Sequence, residues 1–201
     1  MTHTDDAWYR TYFDEGYLRR YEPFLTDERS EREVDGILDR LGLEPGFDLS
    51  TVFLDHARAE AKADGLEIEY VRGDIRDLPW QDTFDAVINV FTAFGYFEDD
   101  VEDAKVIGQV ARALKPGGSF LQETLHRDGL MPRFLPTYVE KLDDGLITLH
   151  EHRLDLVAGG VEDTVTAIEP DGARTVSRTY IRLYTVPEFR RMYEAAGLTL
   201  D

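Results

Sequence analysis

A chain of 201 residues that is 42% hydrophobic and 11% aromatic is long enough for a sizeable core and too apolar to be disordered. Its formal net charge of −19 repels phosphate backbones, which argues against general nucleic-acid binding, and the absence of cysteine excludes disulfides, thiolate chemistry and cysteine-ligated metals. No apolar run approaches the roughly 20 residues that span a bilayer, and the polar start Met1–Asp6 resembles neither a signal nor a transit peptide, so the cytoplasm is the expected location. Lysine is confined to Lys62, Lys105, Lys115 and Lys141. Two explanations of the acidity are open: adaptation to high salt, where mutual repulsion is screened, and an acidic protein of ordinary surroundings.

Ala7 to Leu25, rich in tyrosine, reads as one or two short helices broken near Pro23. Tyr9, Tyr12, Tyr17 and Tyr21 suit either a lid or the packed face of an amphipathic helix. Ser30 and Glu33 form a capping-box pair, Val34, Ile37, Leu38 and Leu41 recur at helical spacing, and Gly42 stops that helix. After Glu44-Pro45-Gly46 comes Phe47-Asp48-Leu49-Ser50, then a helix from Thr51 to Asp64. Glu67 to Arg72 reads as a strand, Gly73 to Pro79 as a turn, and Phe84 to Phe91 as a strand with the continuous apolar run Ala86-Val87-Ile88. Asp99 to Leu114 reads as a helix with Val101, Ala104, Ile107, Ala111 and Leu114 inward. Lys115-Pro116-Gly117-Gly118 turns the chain into a strand from Ser119 to Thr124.

This alternation predicts an α/β fold with a largely parallel, doubly wound sheet. From about Thr137 the period becomes two. Leu146–Val157, Val161–Glu169 and Thr175–Tyr184 are separated by Gly159-Gly160 and Asp171-Gly172, which predicts an antiparallel β-meander insertion. Thr185 and Glu188 open a last helix that buries Phe189, Met192, Tyr193 and Ala196 and stops at Gly197. The expected organisation is one domain over 1–201: N-terminal helices (1–46), an α/β core (47–136), the antiparallel insertion (137–184), and a closing helix with the start of a strand (185–201).

Four segments carry a more specific signal: Asp48-Leu49-Ser50, Gly73-Asp74-Ile75-Arg76-Asp77-Leu78-Pro79, Phe84-Asp85-Ala86-Val87-Ile88-Asn89, and Arg112-Ala113-Leu114-Lys115-Pro116-Gly117-Gly118. Their order and spacing resemble those of class I S-adenosylmethionine-dependent methyltransferases, with a Rossmann-like sheet. The resemblance covers roughly residues 30 to 201 and includes the late helix ending Ala195-Ala196-Gly197-Leu198. It implies S-adenosyl-L-methionine as cofactor and a small-molecule methyl acceptor as partner. It further implies that Asp48, followed by Leu49, accepts hydrogen bonds from the ribose hydroxyls. Asp74 would meet the adenine amine with Ile75 packed on the base, and Asn89, Val90, Phe91 and Thr92 would line the methionine arm and the transfer site.

The chemistry of these side chains agrees, since a ribose diol and an exocyclic amine are donors that carboxylates accept. Other readings stand beside it: Asp48 as a helix cap and Asp74 as a turn residue. Methyl transfer is an in-line displacement that needs proximity, orientation and often a proton acceptor. Glu123 and His126 are the candidates for that role, His126 standing beside its reading as an ordinary loop histidine, and Arg182 and Tyr184 are candidates for the substrate wall. His150 and His152 share a strand face while Glu151 points away, and two ligands do not make a metal site, so no metal is expected.

One part of the family pattern is absent. Between Gly46 and Asp48 the resemblance calls for a first strand, a glycine-rich loop, a helix and most of a second strand, a beginning of about 30 residues; the chain has Phe47. Those glycines let backbone amides approach the cofactor, and the first two strands belong between the strand at Glu67–Arg72 and the strand at Phe84–Phe91. A final antiparallel strand is likewise not reached by Asp201. Three explanations are open: a segment of the molecule outside this sequence, an internal deletion, or a sheet re-paired by exchange in a dimer. The competing function is therefore a catalytically incompetent methyltransferase-like protein that acts through binding or homodimerisation. A nicotinamide-dependent oxidoreductase also needs a glycine fingerprint and is disfavoured by the register from Gly73-Asp74 to Lys115-Pro116-Gly117-Gly118.

Overall fold

The computed structural model describes residues 8–21, 46–48 and 50–200. The break at Pro23, the capping box at Ser30 and Glu33, the helix through Leu41, Gly42 and the cofactor candidate Leu49 lie outside the described residues. The chain divides into two compact units. One comprises residues 1–12, 90–104 and 123–201, and the other residues 13–89 and 105–122.

The second unit holds the parallel strands. Helix α2 (Glu15–Tyr21) precedes β1 (Gly46–Asp48), α3 (Thr51–Ala63), β2 (Tyr70–Arg72) and β3 (Phe84–Asn89). The greater part of α4 (Asp100–Ala113) and all of β4 (Leu114–Gln122) follow. Strand β1 pairs in parallel with β2, and β3 in parallel with β4, with α3 and α4 as the crossovers. Among the described residues the two pairs form separate two-stranded sheets. Helix α3 starts where Ser50 Oγ accepts from Phe53 N at 3.3 Å while donating to the Phe13 carbonyl at 2.8 Å. It buries Leu54 and Ala61, and Phe53 packs against Phe13 and Tyr17 with ring centroids 5.7 and 5.6 Å apart. Packing thus accounts for Tyr17.

Two sequence expectations are corrected in this region. The buried side of α4 is Asp103, Val106, Ile107, Val110 and Ala113, continuing into Leu114, whereas Val101 is 60% exposed and Ala104 lies outward. The face is rotated because a carboxylate, Asp103, takes a fully buried position that hydrophobic periodicity gives to an apolar residue. Lys115–Gly118, expected as a turn before the strand, lies inside β4 as an irregular bulge. Phe84 pairs with Leu114 and Ala86 with Ser119, so the chain inserts extra residues opposite Asp85, with Gly117 at φ +83°. Lys115 Nζ returns to Asp85 Oδ2 at 2.7 Å.

The first unit contains α1 (Tyr9–Tyr12), the short helix α5 (Arg127–Leu130), a 3₁₀ turn (Met131–Arg133), four antiparallel strands and α6 (Val186–Ala195). The meander runs β5 (Thr137–Lys141), β6 (Ile147–Asp155), β7 (Gly160–Ile168) and β8 (Arg174–Arg182), paired in chain order. It matches the period-two segments and adds β5, which the sequence pattern did not delimit. One face buries Thr148, His150, Val161, Val165, Ala167 and Thr179, as strand alternation requires. Helix α6 has the expected capping box, with Thr185 Oγ1 accepting from Glu188 N and Glu188 Oε2 accepting from Thr185 N. It buries Phe189 and Tyr193, while Met192 and Ala196 are half-buried.

Gly160 opens β7 with no room beside it, since a Cβ there would overlap the buried Tyr180 ring. Gly160→Ala should destabilise the meander by about 1–3 kcal/mol, read as a lower urea midpoint at unchanged m value. An unchanged midpoint would show that Tyr180 is free to move aside.

Candidate functional site

All four parallel strands release a named candidate at their carboxyl ends. Strand β1 ends on Asp48, whose Oδ1 accepts from Ser50 N at 2.6 Å. The helix cap is therefore Ser50 and not Asp48, which stands two residues ahead of it. After β2 comes Asp74, half-buried, with Oδ1 accepting from Arg76 N at 3.0 Å and the guanidinium of Arg76 forking onto both oxygens at 2.9 and 2.6 Å. Asp74 is thus a turn residue as well as an oriented carboxylate. Ile75 beside it is half-buried. The turn is secured from α4, where Gln109 Oε1 accepts from Leu78 N at 3.2 Å and Arg112 donates to the Leu78 carbonyl.

Strand β3 ends on Asn89, buried at 7% exposure, and Val90, Phe91 and Thr92 follow. Phe91 and Thr92 have φ of +58° and +59°, left-handed conformations that non-glycine residues rarely adopt. Two in succession is local strain of the kind concentrated at functional sites. Glu123, one residue beyond β4, holds this segment. Its Oε2 accepts from Phe91 N at 3.2 Å and its carbonyl from Thr92 N at 3.3 Å. His126 caps α5, with Nδ1 accepting from Gly129 N at 3.3 Å. That bond places the hydrogen of the neutral ring on Nε2.

Arg182 and Tyr184 stand in a buried polar network. The Arg182 guanidinium donates to Asp100, Glu188 and the carbonyls of Gly159 and Leu183. Tyr184 Oη lies 3.1 Å from Asp100 Oδ1 and 2.8 Å from Asp103 Oδ2. A single hydroxyl proton serves only one of these carboxylates. A proton on Asp103 resolves the conflict: Asp103 then donates to the Tyr184 oxygen, and Tyr184 donates to Asp100. Burial pushes the Asp103 carboxyl up to about 7, the Tyr184 hydrogen bond opposing and the Asp100 charge assisting. Burial also opposes the charged form of Glu188, but its bonds from Thr185 and Arg182 outweigh this and bring it down to about 2. Burial works against the charge of Arg182 and is overcome by Asp100 and Glu188.

Comparison with known proteins bears on what this arrangement is. A family model described as a methyltransferase domain matches residues 44–118. A fatty-acid O-methyltransferase of Mycolicibacterium smegmatis is 34% identical over 128 residues, 62% of this chain and 43% of the relative. A demethylmenaquinone methyltransferase of Thermus thermophilus is 39% identical over 74 residues, 36% of this chain and 32% of the relative. Among solved structures, an S-adenosylmethionine-dependent methyltransferase from Clostridium acetobutylicum superposes with a TM-score of 0.71 at 16% identity, covering 90% of this chain and 86% of that one. Residues 44–118 match a methyltransferase domain, and the fold is that of the S-adenosylmethionine-dependent methyltransferases. The chain's matches span less than half the length of these two curated relatives.

The methyltransferase-domain match gives the carboxyl-end residues a ligand to be tested against. Asp48 and Asp74 are acceptors, as hydroxyl and amine donors require, and the turn bonds they accept fix their orientation. No glycine-rich turn follows a strand among the described residues, so the backbone-amide part of the family's cradle is not matched. The sequence pattern gives no role to Arg76, which lies within the Gly73–Pro79 segment and aims Asp74, or to Asp103, which occupies Tyr184 and is not announced by helical period. No helix among the described residues is long and apolar enough to cross a membrane.

Because folded Asp103 holds its proton more tightly than the unfolded chain, its contribution is full below about pH 4 and is lost as pH rises through about 7. Glu188 acts oppositely, contributing above its ordinary value and losing that contribution as pH falls toward about 2. Asp103→Asn should therefore remove a decline in unfolding free energy of up to about 2–3 kcal/mol between about pH 5 and about pH 8. Urea unfolding at the two values checks this, and an equal decline in the variant contradicts it.

Proposed function

We propose that this chain serves S-adenosylmethionine-dependent methyl transfer to a small-molecule acceptor. The observation that carries the reading is that each of β1, β2, β3 and β4 is ended or followed by a candidate at its carboxyl end, the end at which open α/β sheets bind their ligands. In this reading Asp48 accepts from the ribose hydroxyls and Asp74 from the adenine amine, with Ile75 against the base. The strained Asn89–Thr92 segment borders the transfer site. When bound, S-adenosyl-L-methionine supplies an electrophilic methyl group that the acceptor takes by direct displacement. The chain's own contribution is to orient the reactants and receive the acceptor's proton.

Glu123 suits proton acceptance, since its side chain is exposed beside Phe91 and Thr92. His126 reaches the same role only by giving up its cap, because its Nδ1 lone pair is engaged by Gly129. Arg182 and Tyr184 act on an acceptor through the position of β8 and α6, their own polar atoms being engaged by Asp100, Asp103 and Glu188.

A second reading, a catalytically incompetent methyltransferase-like protein that has lost cofactor binding and acts through a partner or homodimerisation, is favoured by two observations. The parallel pairs share no ladder among the described residues, and the amide cradle is not matched. Calorimetric titration with S-adenosylmethionine and its demethylated product separates the two. The methyltransferase reading predicts saturable binding, weakened about tenfold or more by Asp48→Ala and by Asp74→Ala, the loss expected for a charge-assisted hydrogen bond. No binding at millimolar ligand would favour the second reading, and unchanged affinity in both variants would remove the adenosine-end assignment.

A further inference from the structure

Strand β6 carries His150 and His152 two positions apart, so both imidazoles leave the same face. Two histidines alone make no metal site. The antiparallel register, however, sets Asp163 of β7 directly opposite His152. One donor atom from each of the three residues lies within 4.8 Å of the other two. The side chains of His150, His152 and Asp163 are 5, 21 and 18% exposed, which leaves an approach from solvent past the latter two. Tyr138 of β5 stacks on His150, ring centroids 4.3 Å apart and planes 6° from parallel, and fixes that ring.

The hydrogen bonds show which atoms are turned toward one another. His152 Nδ1 lies 2.7 Å from the Leu135 carbonyl oxygen, which has no proton to give, so Nδ1 is the donor. In the neutral ring Nε2 then presents a lone pair. It faces Asp163 Oδ1 at 3.6 Å, too far for a hydrogen bond. Oδ1 is itself buried with no hydrogen-bond partner among the described residues. Asp163 Oδ2 lies 3.0 Å from His150 Nδ1. Two acceptors thus confront each other across a gap, with a third nitrogen beside them. Tetrahedral coordination at about 2.0–2.1 Å separates neighbouring donors by roughly 3.3 Å, close to this spacing. A histidine whose other ring nitrogen donates to a backbone carbonyl is the usual orientation of a metal ligand.

We propose that His150, His152 and Asp163 form a divalent-metal site that ties β6 to β7 and is best suited to Zn²⁺. His152 would bind through Nε2 and Asp163 through Oδ1, with His150 Nδ1 exchanging its contact with Asp163 for the ion. Two imidazoles and one carboxylate favour zinc or a similar transition metal over Mg²⁺ or Ca²⁺, which prefer oxygen donors. Three protein ligands leave a fourth position for water. The site shares no residue with the carboxyl-end candidates and does not depend on the methyltransferase reading.

The competing occupant of the gap is a proton on His152, which would make His152 and Asp163 a simple ion pair. Titration of the chelator-treated chain with Zn²⁺ by calorimetry, and with Co²⁺ by visible absorption, distinguishes the two. The expected result is one equivalent bound at micromolar metal, the intense visible bands of tetrahedral Co²⁺, and a thermal midpoint that rises with Zn²⁺. His152→Ala and Asp163→Asn should each weaken binding at least tenfold, and His56→Ala, far along the chain on α3, should leave it unchanged. His152→Ala, removing a partly exposed ring, carries the test if circular dichroism shows Asp163→Asn unfolded. Absence of uptake, or uptake that survives His152→Ala, would overturn the site.

Discussion

When two strands pair in parallel, the chain must travel back along one face before the second strand can begin, and both strands then release their next residues at the same end. Here α3 provides that return between β1 and β2, and α4 provides it between β3 and β4. The consequence is chemical. Asp48 and Asp74 emerge from equivalent ends of one pair, while Asn89 and Glu123 emerge from equivalent ends of the other. Ladder geometry therefore groups residues that lie dozens of positions apart in the chain. Local bonds then aim them: Ser50 on Asp48, Arg76 on Asp74, and Glu123 on the left-handed Phe91–Thr92 segment.

The same geometry leaves each parallel pair without a neighbouring strand among the described residues. Each pair offers backbone groups on its outer sides, and no described strand joins one pair to the other. Buried ladder groups without partners cost energy comparable to lost hydrogen bonds. Two-stranded parallel sheets of three to nine residues per strand consequently lean on their helices, through Leu54 and Ala61 of α3 and Val106, Ile107 and Val110 of α4. The antiparallel meander is different, because its strands are consecutive in the chain and its register is set by the tight turns at Gly159-Gly160 and Asp171-Gly172.

What could be read in the sequence followed from how local each signal is. The meander and α6 were legible because glycine turns, period-two runs and a Thr185–Glu188 capping box act over a few residues. The order of motifs from Asp48 to Gly118 was legible because it resembles the methyltransferase pattern, and a methyltransferase-domain model matches residues 44–118. Three features were not. The inward face of α4 depends on Asp103, whose burial is made tolerable by Tyr184, 81 positions away, and no helical period predicts it. Lys115–Gly118 has the composition of a turn, and only its pairing with β3 makes it a bulge. Asp163 joins His150 and His152 only through cross-strand register, which is invisible when one strand is read at a time.

On the proposed function, adenosine recognition lies at the carboxyl ends of the parallel strands. Amide NMR spectra recorded during a titration with S-adenosylmethionine test it residue by residue. The account predicts saturable shifts at Ser50, Asp74–Arg76, Asn89–Thr92 and Glu123, with the amides of the Gly159-Gly160 and Asp171-Gly172 turns unmoved. Shifts confined to the meander would contradict it.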